Sequence, residues 1–210
     1  MLANRLWFPW HPYPHGKTPS WWEATYWALD LETSGLEPSD QILSVGMVPI
    51  REGVIEFGAH FYSLVRPQRP EELSLEGIRA HHILPAELES APPLAVVMEK
   101  VLHRVGQGVL LLHFAPLDLG FLKQACRSLG LGWPRPRVVD TAVLLSRLNH
   151  RRQRLEPYAQ PLPSALGAAR RSLGLPPHLE HHALWDALAT AELFLLLRER
   201  LGARTLRELL

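Results

Sequence analysis

Apolar residues fall into two rhythms along this chain. Short runs dense in branched and aromatic side chains, at about 25–31, 41–50, 54–65, 109–113 and 137–139, have the length and composition of strands. Longer amphipathic stretches predict helices over about 93–105, 117–129, 141–149, 164–173 and 183–200. Three strands come first, with Arg51-Glu52-Gly53 marking a tight turn between the second and third, and strands then alternate with helices. That order predicts an α/β fold built as a mixed sheet flanked by helices. No internal repeat is present.

Two charges interrupt the first apolar run. In Trp27-Ala28-Leu29-Asp30-Leu31-Glu32-Thr33, alternation sends Asp30 and Glu32 to one face and leaves Leu29 and Leu31 for the core. Like charges side by side repel unless a cation lies between them, and carboxylate oxygens are natural ligands for Mg²⁺ or Mn²⁺. The pair reads as half of a hard-metal site, although an ion-paired strand edge would look the same. Asp118 follows the apolar run Val109 to Leu112 in the first turn of a helix, and Asp186 opens the last long helix after His181-His182. Taken singly, each acid also suits a helix N-terminus, where the macrodipole favours negative charge. His181 taken singly could be a solvated loop residue. In this order and at these intervals, the residues point to one site.

Together the three segments resemble the motifs of the DnaQ-like 3′–5′ exonucleases: an Asp-x-Glu-Thr strand, an Asp on a helix after an apolar strand, and a His five residues before a final Asp. The form with His in that place is termed DEDDh. The resemblance covers about residues 23–200. It includes Asp40-Gln41-Ile42-Leu43-Ser44-Val45-Gly46 as the second strand entry and Ala80-His81-His82-Ile83 through Ala91-Pro92 as a connector. Asp140-Thr141 matches a strand end, and Leu173-Gly174-Leu175 a helix end. Two departures stand out: Phe114 where the family has Asn, and Leu117 where it has an aromatic residue. Neither is a metal ligand, but both bear on how a terminal nucleotide is held.

The resemblance implies a ribonuclease H-like fold, with residues 23–210 forming one domain similar to the exonuclease domain of the DNA polymerase III epsilon subunit. It implies metal-dependent hydrolysis at the 3′ end of single-stranded DNA or RNA, DNA favoured, releasing nucleoside 5′-monophosphates. Two divalent ions, Mg²⁺ or Mn²⁺, are implied, with Asp30 bridging them, Glu32 and Asp186 completing one shell, and Asp118 holding the other ion through water. His181 is the implied general base. His182, four residues before Asp186, stands where a sister form carries Tyr. Thr33 and Phe114 are implied contacts to the terminal nucleotide, with a turn-forming role before Gly35 equally open to Thr33. A catalytically silent adaptor, or a phosphoesterase of small nucleotides, would be the readings of another class.

Composition narrows the picture further. With 210 residues, 47% hydrophobic and 20% charged, the chain can bury a full α/β core. A net charge of +1 means that nucleic-acid binding must rest on local patches. Arg147, His150, Arg151, Arg152 and Arg154 form one such patch, with Arg151 and Arg152 as candidate phosphate contacts and a solvated helix face as the plainer reading. Cys126, the single cysteine, fits a buried apolar position and excludes a disulfide framework. Neither a signal peptide nor a membrane-length apolar run is present, which predicts a cytoplasmic protein with no membrane contact. Only Gly202 to Leu210 follow the last predicted helix, which favours a stand-alone or accessory enzyme over a replicative subunit. Residues 1–22 stand apart as an arm rich in Trp and Pro, expected to pack on the domain, with base stacking or a protein partner as its other uses.

Overall fold

The computed structural model describes residues 19–37 and 39–210. Its sheet has six strands: β1 (Tyr26–Thr33), β2 (Ile42–Arg51), β3 (Val54–Ile55), β4 (Phe61–Leu64), β5 (Val109–Leu112) and β6 (Val138–Asp140). Spatial order is β3-β2-β1-β5-β6, with β4 also paired to β2. β1 runs antiparallel to β2 and parallel to β5, which is parallel to β6. The turn between β2 and β3 has positive φ at both Glu52 and Gly53, the backbone that a tight hairpin twisted like its strands requires.

Eight α-helices accompany the sheet among the described residues: α1 (Leu75–His81), α2 (Pro85–Glu89), α3 (Leu94–Val105), α4 (Ala115–Ser128), α5 (Thr141–Leu155), α6 (Leu166–Ser172), α7 (Ala183–Leu201) and α8 (Leu206–Leu209). β1 is covered on both faces. Its even positions Tyr26 and Ala28 join a core with Leu144, Leu145, Leu193 and Phe194 of α5 and α7. Its odd positions Trp27 and Leu29 join another with Met98, Val101, Phe121 and Leu122 of α3 and α4. Asp30 and Glu32 therefore continue the face that α7 covers. Gly46, opposite Asp30, lets α7 begin there: a Cβ at Gly46 would stand 2.3 Å from the backbone of Ala183 and Leu184.

Several elements differ from the sequence expectation. The run 54–65 is two strands separated by a 3-10 turn at Phe57–Ala59, because Phe57 leaves the ladder to stack on Trp185 of α7, with ring centroids 5.5 Å apart. The short helices α1, α2 and α8 were not anticipated, and α5 runs six residues beyond the predicted 149. Most of the aromatic arm lies outside the described residues. Of its described end, Trp21 packs edge-on against Phe194 with Arg198 over its ring at 4.3 Å, whereas Trp22 is exposed. Cys126 is buried as expected, and burial pushes its thiol up to about 11.

Candidate active site

Four acids meet where β1 ends and α4 and α7 begin. Oxygens of Asp30, Glu32 and Asp186 lie within 4.8 Å of one another. β1 supplies the first two by simple alternation, and the first turn of α7 supplies the third. Asp118, buried in the first turn of α4, stands outside that trio but close enough for its charge to act on Asp30. Asp140 seats α4: its carboxylate accepts the backbone N–H groups of Phe114 and Ala115 at 3.0 and 2.8 Å, and caps α5 through Ala142 N–H at 2.8 Å.

The electrostatics are those of crowded carboxylates. Burial, then the charges of Asp118, Asp186 and Glu32, hold the Asp30 carboxyl well above the usual carboxylate range. Burial and the Asp186 and Asp118 charges push Glu32 up to about 8. Burial chiefly raises Asp118, also to about 8, although its own backbone N–H works against the shift. A hard divalent cation is what this donor set fits: converging carboxylate oxygens, with none of the four acids in an ion pair with Lys or Arg among the described residues.

A stability consequence follows. Glu32 and Asp118 bind protons more tightly in the native state than in the unfolded chain, where carboxylates titrate near 4. Their contribution to metal-free stability is therefore full below that range and is lost as pH rises through about 8. In chelator, these two groups should lower the melting temperature between about pH 5.5 and pH 8.5. Added Mn²⁺ should restore more at the upper pH than at the lower; equal gains at both would contradict the linkage.

The predicted histidines are placed differently from one another. His182 caps α7, its backbone N–H donates to Asp186 Oδ2 at 3.1 Å, and its ring stacks on Tyr62 with centroids 4.8 Å apart. His181 is exposed, one residue earlier, with φ of 62°. His178 belongs to no sequence motif, yet its largely buried ring places Nε2 2.8 Å from Asp186 Oδ1. Its loop is held by buried Arg170, which donates to Pro176 O at 3.1 Å and Ala189 O at 2.8 Å and pairs with Glu192 at 2.6 Å. Such contacts orient a ligating carboxylate and typically set about 10–100-fold in metal affinity. His178→Ala should accordingly weaken Mn²⁺ binding in calorimetry by about tenfold or more, and His178→Gln should recover part of it. Tighter binding in His178→Ala would instead make the histidine a competitor of the ion.

Thr33 uses its hydroxyl in the turn, donating to Gly35 O at 2.6 Å. Phe114 caps α4 with φ of 65° and leaves its ring 61% exposed beside the site. Arg151 and Arg152 are not brought to the acids. α5 starts at the site, and at about 1.5 Å per residue it carries them about 15 Å or more along its axis.

A sheet of this order with carboxylates at the end of its central strand is the ribonuclease H-like arrangement of DnaQ-like exonucleases. The sequence profile of the exonuclease family (RNase T type) matches residues 27–194, and the chain belongs to that family. A DNA polymerase III subunit epsilon-like protein of Rhodobacter capsulatus is 35% identical over 187 residues, covering 87% of this chain and 25% of its own length. The chain thus spans about a quarter of that relative. Exonuclease X, solved with 5′ overhanging duplex DNA, superposes with a TM-score of 0.60 at 24% identity over 84% of this chain and 93% of its own. E. coli exonuclease I, solved with single-stranded DNA and zinc, superposes with a TM-score of 0.72 at 16% identity over 85% of this chain and 41% of its own. Among the described residues, no helix is long and apolar enough to cross a membrane.

Proposed function

We propose that the protein hydrolyses phosphodiester bonds from the 3′ end of single-stranded nucleic acid, DNA favoured, one nucleoside 5′-monophosphate at a time. The observation that carries the reading is the convergence of Asp30, Glu32 and Asp186 within 4.8 Å in a chain of the exonuclease family. Asp118, Asp30, Glu32 and Asp186 would hold two divalent ions, Mg²⁺ or Mn²⁺. Bound there, the ions would neutralise phosphoryl oxygens and make water a better nucleophile. His181, exposed at the residue before the α7 cap and in no side-chain hydrogen bond among the described residues, would take the proton of the attacking water on a ring nitrogen. Water oxygen bonds to phosphorus, the bond to O3′ breaks, and that oxygen leaves protonated from solvent. The exposed ring of Phe114 offers a flat apolar contact to the terminal nucleotide in the place where the family carries Asn. The DNA in the exonuclease X and exonuclease I complexes supports a polymer substrate with a single-stranded portion.

A gel time course on matched 5′-labelled DNA and RNA oligonucleotides with Mg²⁺ or Mn²⁺, beside Asp186→Ala, tests the whole reading. A ladder shortening from the 3′ end, absent in the variant, is expected, with DNA the faster substrate. Release of 5′-labelled mononucleotide as the first product would reverse the polarity. Cleavage of a mononucleotide ester but of neither polymer would replace the reading with a small-nucleotide phosphoesterase.

A further inference from the structure

Charge is segregated along the helices of this molecule. The acids gather where α4 and α7 begin, and the opposite ends of α5 and α7 carry arginines. Residues 147–156 and 198–208 hold eight arginines against three glutamates, in a chain whose net charge is +1. Where α5, α6 and α7 end, a cavity of about 410 Å³ opens. Leu148, Leu155, Leu162 and Leu173 give it apolar walls, and Arg151, Arg152 and Arg200 give it charge. Among the described residues, no acidic side chain and no aromatic ring lines it.

Arginines in the last turn of a helix often do no more than answer its carbonyl end. Arg151 is used in that way, donating to Arg200 O and Leu201 O at 3.2 and 3.1 Å. Arg152 and Arg200 are not: no side-chain hydrogen bond or ion pair among the described residues engages either guanidinium. Leu155, beside them, is 76% exposed, an apolar side chain that the described residues do not cover.

We infer that this cavity docks an acidic peptide segment of a partner protein, one that presents a bulky apolar side chain among its carboxylates. Two uncommitted guanidiniums suit carboxylates, which they bind in a bidentate fork. The four leucines suit an aliphatic or aromatic side chain. A phosphodiester backbone would answer the charge but offers nothing to the leucines, and single-stranded bases are held on aromatic rings, which do not line this cavity among the described residues. Arg152 also lies twelve residues along the chain from Asp140, about 18 Å of helix away from the acids. The docking site is therefore separate from the catalytic end, and its test reads peptide binding, independent of whether the nuclease reading holds.

The probe is a fluorescein-labelled octapeptide of four aspartates followed by alternating leucine and glutamate, measured by fluorescence anisotropy. It should bind the full chain, and binding should weaken at least tenfold in Arg200→Glu and in Leu155→Asp, each checked for an unchanged melting temperature. The same peptide with asparagine and glutamine for its acids should bind at least tenfold more weakly. Methyl resonances of Leu148, Leu162 and Leu173 should shift on titration of the unmutated protein, which keeps the test open even where a variant folds poorly. The proposal is overturned if neither variant weakens binding, if the methyls do not move, or if an oligothymidylate displaces the peptide and itself depends on Arg200, which would make the cavity part of a nucleic-acid track.

Discussion

Asp30→Asn is expected to remove nearly all cleavage while making the metal-free protein harder to unfold. Asp30 is the acid whose charge feels all three others: burial first, then Asp118, Asp186 and Glu32, disfavour its ionised form. Stabilisation of a phosphoryl transition state by bound cations is worth several kcal/mol, and a loss of about 4 kcal/mol is roughly 10³-fold in rate. The amide keeps the shape of the side chain and removes its charge. With the ions gone, the same change deletes a repulsive centre, so in chelator above about pH 8 the variant should melt higher than the parent. Single-turnover cleavage with Mn²⁺ and a thermal melt in chelator give the two halves. A variant that loses activity but also melts lower in chelator would show that Asp30 supports the fold through contacts, and the account of the site as stored repulsion would fail. Opposite signs of activity and stability are what a binding site built at the expense of the fold should give.

The carboxylates were legible in the sequence because the strand period is so strict. An acid at every second position of an otherwise apolar run has one face to occupy, and Asp30 and Glu32 occupy it opposite Gly46 and Ser44. Asp118 and Asp186 were legible because each follows an element boundary that apolar spacing marks. The two-sided burial of β1 was harder to read, since only the packing of α5 and α7 shows that Tyr26 and Ala28 are core. Helices of four to seven residues such as α8, α2 and α1 are too short for a period to be seen, and their stability comes from where they dock. His178 was invisible for another reason: it lies eight residues before Asp186, and only the fold-back of the loop held by Arg170 brings the two together. Arg151 and Arg152 show the reverse relation, being near Asp140 in sequence yet separated from it by most of a helix.

His181→Ala should cost about 10²–10⁴-fold in turnover, the usual contribution of a positioned general base, while His182→Ala should keep turnover within about one order of magnitude. The reason lies in how each is held. His182 contributes to Asp186 through its backbone N–H, which alanine retains, and its ring is spent on Tyr62 at 4.8 Å and Trp185 at 6.4 Å. Truncating that ring removes packing, so His182→Ala should lower the melting temperature, as loss of a half-buried aromatic contact does. Among the described residues His181 has no such ring contacts to lose; it is exposed, and its alanine variant should melt as the parent does. The pair of variants thus separates a chemical role from a packing role by two readouts, rate and melting temperature. If His181→Ala turned over like the parent while His182→Ala was inactive with its melting temperature intact, the proton would be taken at the position of the sister form. The stacked ring of His182 would then have to leave Tyr62 when substrate binds.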